Sequence, residues 1–220
     1  DGLTTGDYIF KIITEDHETT VSFHIDYEAP QNPQVSVVEG KRSIEVKWIA
    51  SPSSDLQGYR VYRKNNDVFE LVSEHSKSVL SITQNIITDL MPGIDYEYKV
   101  TAFDRLDNES TGNTITASLV DDQTHPVVSS VSPYDTAYLQ DEQYIYMYAY
   151  DDQHLNRFLV EYSTDGGQNY TVLFDVEPSY YYQSSDKYYF NKTFVWDTRT
   201  GYVDGDYKVR YTAFDLTGKN

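Results

Sequence analysis

The feature that most constrains the fold is a two-residue alternation of apolar and polar side chains, repeated in short runs along the chain. In Ser43–Trp48 the apolar residues Ile44, Val46 and Trp48 alternate with polar ones, and Tyr144–Tyr150 alternates in the same way. Because successive side chains of a β-strand point to opposite faces, this spacing buries one face of each strand and leaves the other in water. Gly, Pro, Asn and Asp separate the runs, and helical periodicity is nearly absent. The sequence therefore predicts an all-β chain built from sandwich domains.

Length and composition limit the function classes. A chain of 220 residues has room for two sandwiches of about 100 residues each. It has no cysteine, which excludes a thiol nucleophile, a zinc–thiolate site and disulfides. A net charge of −18 disfavours binding to nucleic acid or to an anionic membrane surface. No stretch approaches the ~20 apolar residues of a membrane span, so we expect no membrane insertion in this segment.

The stretch from residue 28 to residue 120 carries an ordered series of motifs. A strand ends in Trp48, a Gly-Tyr-Arg-Val-Tyr-Arg strand covers Gly58–Arg63, and Leu90-x-Pro-Gly-x-x-Tyr-x-Tyr-x-Val follows. In this order the motifs resemble a fibronectin type III domain. The resemblance implies about seven strands, with Trp48 in the core and Tyr96 as a tyrosine corner whose hydroxyl bonds back to the chain near Leu90. The alternation further predicts one long strand over residues 81–90.

The two ends of the chain echo each other. Gly6-Asp7-Tyr8 begins a strand pattern that recurs at Gly205-Asp206-Tyr207, and the segment from 121 to 220 resembles the immunoglobulin-like modules of bacterial and archaeal extracellular proteins. The sequence therefore predicts three parts: residues 1–27 as the last strands of a preceding Ig-like domain, 28–120 as the fibronectin-like domain, and 121–220 as an Ig-like domain lacking its last strand. Two explanations stay open, a fragment of a longer repeat array or strand exchange between neighbouring subunits.

Acidic residues around the linkers are candidate ligands for calcium, which prefers six to eight oxygens converging from loops. Two linkers, residues 26–30 and 121–126, each place acidic residues shortly before a proline. The loop of residues 104–109 is acidic as well. The candidate ligands are Asp26, Glu28, Asp104, Asp107, Asp121 and Asp122. The alternative interpretation is that these are solvated acidic loops with no ion. Apart from calcium the sequence indicates no cofactor.

A row of tyrosines is the second candidate surface. If Ile145, Met147 and Ala149 face the core, the opposite face carries Tyr144, Tyr146, Tyr148 and Tyr150. Further rings follow at Tyr180–Tyr182 and Tyr188–Tyr189. Such a row can stack on sugar rings, form an intermolecular contact, or pair across strands simply to stabilise the sheet. Three Asn-x-Ser/Thr sequons, at Asn108, Asn169 and Asn191, are candidate glycosylation sites.

The sequence contains no arrangement typical of catalysis. The five histidines are scattered, and the adjacent acids Asp121–Asp122 and Asp151–Asp152 come with no sign of a cleft. We therefore expect no enzyme. The predicted function is a structural or adhesive segment of a secreted or cell-surface protein, a spacer or the repeating body of a filament. Its partners would be other domains of the chain or neighbouring subunits. The alternative is an accessory module of a secreted hydrolase that binds carbohydrate.

Overall fold

The computed structural model describes residues 2–86, 88–135, 137–178, 182–184 and 187–220. These residues contain no helix, and 57% of the chain is strand, which confirms the all-β prediction. Two compact units are present. The first comprises Asp1–Glu39, Ile44–Gln84 and Asp95–Ser118, and the second comprises Gly40–Ser43, Asn85–Ile94 and Leu119–Asn220. The predicted three-part boundaries stay a prediction.

The chain begins with a two-stranded antiparallel hairpin, β1 (Gly6–Ile13) and β2 (Glu18–Ile25). Its register runs from Gly6 opposite Ile25 to Ile13 opposite Glu18. Neighbouring residues such as Ile9 and Phe10, which point to opposite faces, are 70% and 64% exposed. A hairpin that is apolar on both faces needs further packing to be stable, because two strands alone are marginal in water.

Seven strands then form a sandwich of two sheets, as the motifs predicted. One sheet has the order β3-β4-β7 and the other β6-β5-β8-β9. Their bounds are β3 (Gln34–Glu39), β4 (Ser43–Ile49), β5 (Leu56–Asn65), β6 (Val68–Ser76), β7 (Ser81–Asn85), β8 (Asp95–Asp104) and β9 (Asn113–Ser118).

The alternation correctly predicts the core of this sandwich. Ile44 and Val46 are fully buried and Trp48 nearly so, and the Trp48 ring contacts Tyr59 with centroids 5.5 Å apart. The long strand expected over residues 81–90 is wrong in its second half. The strand ends at Asn85, whose carbonyl accepts the backbone N–H of residue 89 (2.9 Å) and of Leu90 (3.1 Å), so the chain turns instead of staying extended.

The second unit contains another sandwich, with sheets β10-β11-β15-β14 and β13-β12-β16. Its strands are β10 (Val127–Ser132), β11 (Glu142–Asp151), β12 (Leu155–Ser163), β13 (Thr171–Val176), β14 (Tyr182–Ser184), β15 (Lys187–Asp197) and β16 (Lys208–Asp215). Phe158 stacks on Phe190 at 4.4 Å and Phe174 on Phe194 at 4.6 Å within this core. Among the described strands, β16 pairs on one side only, with β12.

The repeated Gly-Asp-Tyr motif has the same local structure in both places. The Tyr8 hydroxyl donates to the Thr4 carbonyl (2.8 Å) and accepts from the Thr4 N–H (3.0 Å). The Tyr207 hydroxyl donates to the Val203 carbonyl (2.9 Å) and accepts from the Val203 N–H (3.2 Å). In each case a tyrosine just before or within a strand closes on the backbone four residues upstream. The sequence echo therefore corresponds to a repeated structural element.

Candidate functional site

Two groups of three carboxylates lie in the described part of the chain, each with oxygens within 4.8 Å of one another. The first comprises Asp26, Asp55 and Asp104, and the second comprises Asp122, Asp151 and Asp152. We refer to them as the first and second acidic clusters. Three of the predicted calcium ligands, Asp26, Asp104 and Asp122, fall in these clusters, but they are divided between the two.

The first acidic cluster is saturated by hydrogen bonds at its buried member. Asp104 Oδ1 accepts the backbone N–H of Leu106 (2.7 Å) and of Asn108 (2.9 Å), and its Oδ2 accepts the Asn108 side-chain amide (2.8 Å). Burial alone would raise the pKa of Asp104, but these hydrogen bonds outweigh it and hold the pKa below its usual value. Asp26 Oδ1 accepts the backbone N–H of Glu28 (2.9 Å). Both carboxylate oxygens of Asp104 therefore have hydrogen-bond partners within the protein.

The remaining predicted calcium ligands stand apart from the clusters. Glu28, Asp107 and Asp121 are exposed. Asp107 instead pairs with the Arg60 guanidinium, whose Nη2 lies 2.5 Å from its Oδ1. The assignment of these three residues to a calcium site stays a prediction that the geometry does not favour.

The second acidic cluster is buried and only partly hydrogen-bonded. Asp122, in the segment before β10, is 3% exposed, and Asp151, the last residue of β11, is 1% exposed. Asp122 Oδ1 accepts from the N–H and hydroxyl of Thr124, both at 2.9 Å. Asp151 Oδ1 accepts from the N–H of Gln153 (2.7 Å) and of His154 (3.0 Å). Oδ2 of each carboxylate is buried and has no hydrogen-bond partner among the described residues.

The protonation of the cluster follows from these contacts. Burial and the charges of Asp122 and Asp152 raise the pKa of Asp151 to about 6, against the opposing backbone hydrogen bonds. The pKa of Asp152 is lowered: burial would raise it, but hydrogen bonds from Lys41 and Thr124 and the Lys41 charge outweigh that effect. At neutral pH Asp151 is therefore ionised for the most part, beside Asp152, which pairs with Lys41.

Sequence reasoning did not place Asp151 and Asp152 beside Asp122. The pair was noticed only as adjacent acids without a cleft, and no local signal links it to Asp122, about thirty positions away. The clue that existed was position: Asp151 ends a strand whose inward residues are apolar, so an acid there is buried next to the core.

The tyrosine row lies on the outer face of β11, as the alternation predicts. Ile145, Met147 and Ala149 are fully buried, while Tyr144 is 67% exposed and the other three tyrosines are half-buried. Tyr148 stacks on Tyr189 of β15 with centroids 5.8 Å apart, and the Lys187 ammonium lies 4.2 Å from the Tyr150 ring centre. Cross-strand pairing thus accounts for part of the row. Tyr180 and Tyr181 lie outside the described residues.

The asparagines of the three sequons differ in the hydrogen bonds that their side-chain amides donate. The Asn108 amide donates to the Asp26 carbonyl (3.1 Å) and to Asp104 Oδ2 (2.8 Å), so a glycan, which replaces one amide hydrogen, would remove at least one of these bonds. The exposed Asn169 amide donates to Asp165 Oδ2 (2.7 Å). Asn191 is exposed and lies directly opposite Tyr148 in the β11–β15 register. Glycosylation at each stays a prediction.

Comparison with known proteins agrees with the seven-strand sandwich. The sequence profile of the fibronectin type III domain matches residues 28–117. Those residues are a fibronectin type III domain. This fold is typically a non-catalytic module and is common in the extracellular regions of receptors. No curated protein sequence matches the chain.

Solved structures are similar to this chain only at low sequence identity and low TM-score. A two-domain fibronectin type III segment of chicken tenascin is 12% identical, with 86% of this chain and 99% of that chain covered and a TM-score of 0.37. The chicken CNTN1 FN1-FN3 domains are 16% identical, with coverages of 96% and 73% and a TM-score of 0.34. The spore cortex lytic enzyme SleM of Clostridium perfringens is 20% identical over 41% of this chain, with a TM-score of 0.36; the chain covers only 28% of SleM.

In the part of the chain that the structure describes, no helix is long and apolar enough to cross a membrane.

Proposed function

We propose that this chain is a non-catalytic spacer segment of an extracellular multidomain protein, in which Ig-like units and a fibronectin type III domain alternate. The observation that carries the proposal is the repeated Gly-Asp-Tyr element, whose tyrosine hydroxyl bonds to the backbone four residues upstream. The Gly-Asp-Tyr element closed by Tyr8 precedes the fibronectin type III domain, and the element closed by Tyr207 follows it. A recurring module on either side of a different module is the pattern of a tandem array, whose domains set distance between other parts of a protein.

The separate cores of the domains and their acidic surface support this role. Each sandwich has its own buried core, one around Trp48 and one around Trp196, so each can fold without the other's side chains. The surface is strongly acidic, which keeps a long array soluble and discourages association between its domains.

The second candidate function is an accessory module that binds carbohydrate through the tyrosine row. The observation that favours it is the exposed ring of Tyr144, followed along β11 by three half-buried rings on the same face. Flat aromatic faces stack on the apolar side of sugar rings.

Retention on insoluble polysaccharides separates the two functions. The spacer proposal predicts no retention of the full chain on cellulose, chitin or xylan. Retention that is lost in the double variant Tyr144→Ala/Tyr146→Ala, but kept in Tyr134→Ala, would contradict the spacer proposal and support the accessory module. Tyr134 is a matched control because it is 78% exposed and lies outside the row.

A further inference from the structure

The second acidic cluster contains buried carboxylate oxygens that have no hydrogen-bond partner among the described residues. Buried polar atoms are almost always hydrogen-bonded, since leaving one unpaired costs free energy. Here two carboxylate oxygens, Asp122 Oδ2 and Asp151 Oδ2, are buried without a partner among the described residues. The bonded oxygen of each residue is held by turn N–H groups, so the orientation of both carboxylates is fixed.

The Thr124 hydroxyl adds to the shortage of donors. Its oxygen lies 2.9 Å from Asp122 Oδ1 and 2.6 Å from Asp152 Oδ1, and it is the donor in both contacts. A hydroxyl has one hydrogen and can donate only one strong hydrogen bond at a time. At any moment, one of these two carboxylate oxygens therefore receives no hydrogen bond from Thr124.

Gln153, which follows Asp151 and Asp152 in the chain, also has a neutral oxygen without a hydrogen-bond partner among the described residues. Gln153 is fully buried, and its amide Nε2 donates to the carbonyls of Lys41 (2.8 Å) and Val120 (3.3 Å). Two carbonyl acceptors on that side fix which end of the amide is nitrogen, because a flipped amide would oppose oxygen to oxygen. Its Oε1 is then forced to the other side, where it has no partner among the described residues.

No cation among the described residues donates a hydrogen bond to Asp122 Oδ2 or to Asp151 Oδ2. Lys41 contacts Asp152, the Lys219 ammonium donates to the backbone carbonyl of Asp122 and not to its carboxylate, and Arg42 lies over the Tyr188 ring. In the first acidic cluster, by contrast, both carboxylate oxygens of Asp104 are hydrogen-bonded.

We propose that Asp122, Asp151 and Asp152 form a calcium-binding site in the second unit, with Asp122 Oδ2 and Asp151 Oδ2 as its buried ligands. The donors are all oxygen, with no histidine or cysteine in the cluster, which suits a hard cation. Calcium accepts irregular oxygen sets, whereas magnesium requires near-octahedral geometry and keeps most of its water. Asp215 also has an unpartnered oxygen, but it lies outside the cluster and is not assigned to the site. The proposal holds for either candidate function.

Calorimetric titration of the full chain tests the site. After chelator treatment and desalting, calcium chloride is titrated into the wild-type chain at pH 7.5, and magnesium chloride is titrated separately. We expect one calcium ion per chain, at least tenfold weaker magnesium binding, and a rise in the unfolding temperature of the second unit by at least about 5 °C at 100 times the Kd.

Three variants assign the ligands. Asp122→Asn and Asp151→Asn keep the shape and the turn acceptor but remove the charge, and each is expected to weaken calcium binding at least tenfold. Asp26→Asn, in the first acidic cluster, is the matched control and should bind like the wild type. Circular dichroism confirms that each variant is folded. No heat of binding up to 10 mM calcium, wild-type binding by Asp151→Asn, loss of binding in Asp26→Asn, or equal affinity for magnesium would each overturn the proposal.

Discussion

The substitution Asp151→Asn in calcium-free protein should stabilise the second unit, which is unusual for a buried polar residue. Asparagine keeps an oxygen that accepts the N–H groups of Gln153 and His154. It also removes one of two buried charges of the same sign.

The magnitude follows from the pKa of Asp151. Burial and the neighbouring carboxylates raise this pKa from 3.8 to about 6, a difference of about 2 units. At about 1.4 kcal/mol per unit, ionised Asp151 costs the folded state up to about 3 kcal/mol at neutral pH. Because the folded-state pKa is raised, the stability linked to its proton is fully present below pH ~4 and is lost as the pH rises through about 6. The advantage of the variant should therefore grow from pH ~4 to about pH 6 and level off above it.

Urea denaturation in excess chelator measures this difference. The chain has two tryptophans, one in each core, so a Trp48→Phe background leaves Trp196 as the fluorescent reporter of the second unit. Trp48 is suited to replacement because its indole N–H has no partner among the described residues.

Asp104→Asn is the matched control, followed with Trp48 as the reporter in a Trp196→Phe background. The hydrogen bonds that lower the pKa of Asp104 favour its charged form, so this variant should lose about 1–3 kcal/mol of unfolding free energy. Destabilisation by Asp151→Asn at pH 7.5 in chelator, as for Asp104→Asn, would refute the reasoning.

Three further outcomes are expected from urea denaturation of single variants. Glu109→Gln should cost about 1–3 kcal/mol of unfolding free energy. Burial would raise the pKa of Glu109, but hydrogen bonds from a threonine, a tyrosine and an arginine hold this pKa low, so the stabilisation by its charge is present above pH ~4.5 and lost as the pH falls further. An unchanged urea midpoint at pH 7 contradicts this. Tyr207→Phe should cost about 1 kcal/mol by removing the hydroxyl that bonds to Val203. An unchanged unfolding free energy of the second unit would show that this bond does not stabilise it. Gly58→Ala should cost about 1–3 kcal/mol, since a Cβ would overlap the His75 carbonyl oxygen; wild-type stability would show that β5 and β6 can separate without cost.

The fold was predictable from the sequence wherever one face of a strand is buried. Ile44 and Val46 on β4, and Ile145 and Met147 on β11, follow the alternation residue by residue, and all four are fully buried. The prediction failed after Asn85 because the pattern stays apolar there while the backbone turns. Side-chain periodicity reports burial, and it does not distinguish an extended segment from a buried turn.

The candidate site was predictable only in part. Asp122 was a candidate because acidic residues gather in the linker, but its neighbour Asp121 is exposed and takes no part. The partners of Asp122 come from the end of β11, and that contact depends on how the strands pack. Tertiary geometry decides which carboxylate oxygens are hydrogen-bonded and which are not. Composition and residue spacing do not contain that information.

Stretching single molecules tests the spacer role most directly. With the chain held between marker domains in an atomic force microscope, the account predicts two separate unfolding events. Each should release about 30 nm of contour length, since a sandwich of roughly 90 residues extends at about 3.4 Å per residue. A single event releasing the whole chain, or extension without any force peak, would contradict the claim that two independently folded sandwiches carry load in series.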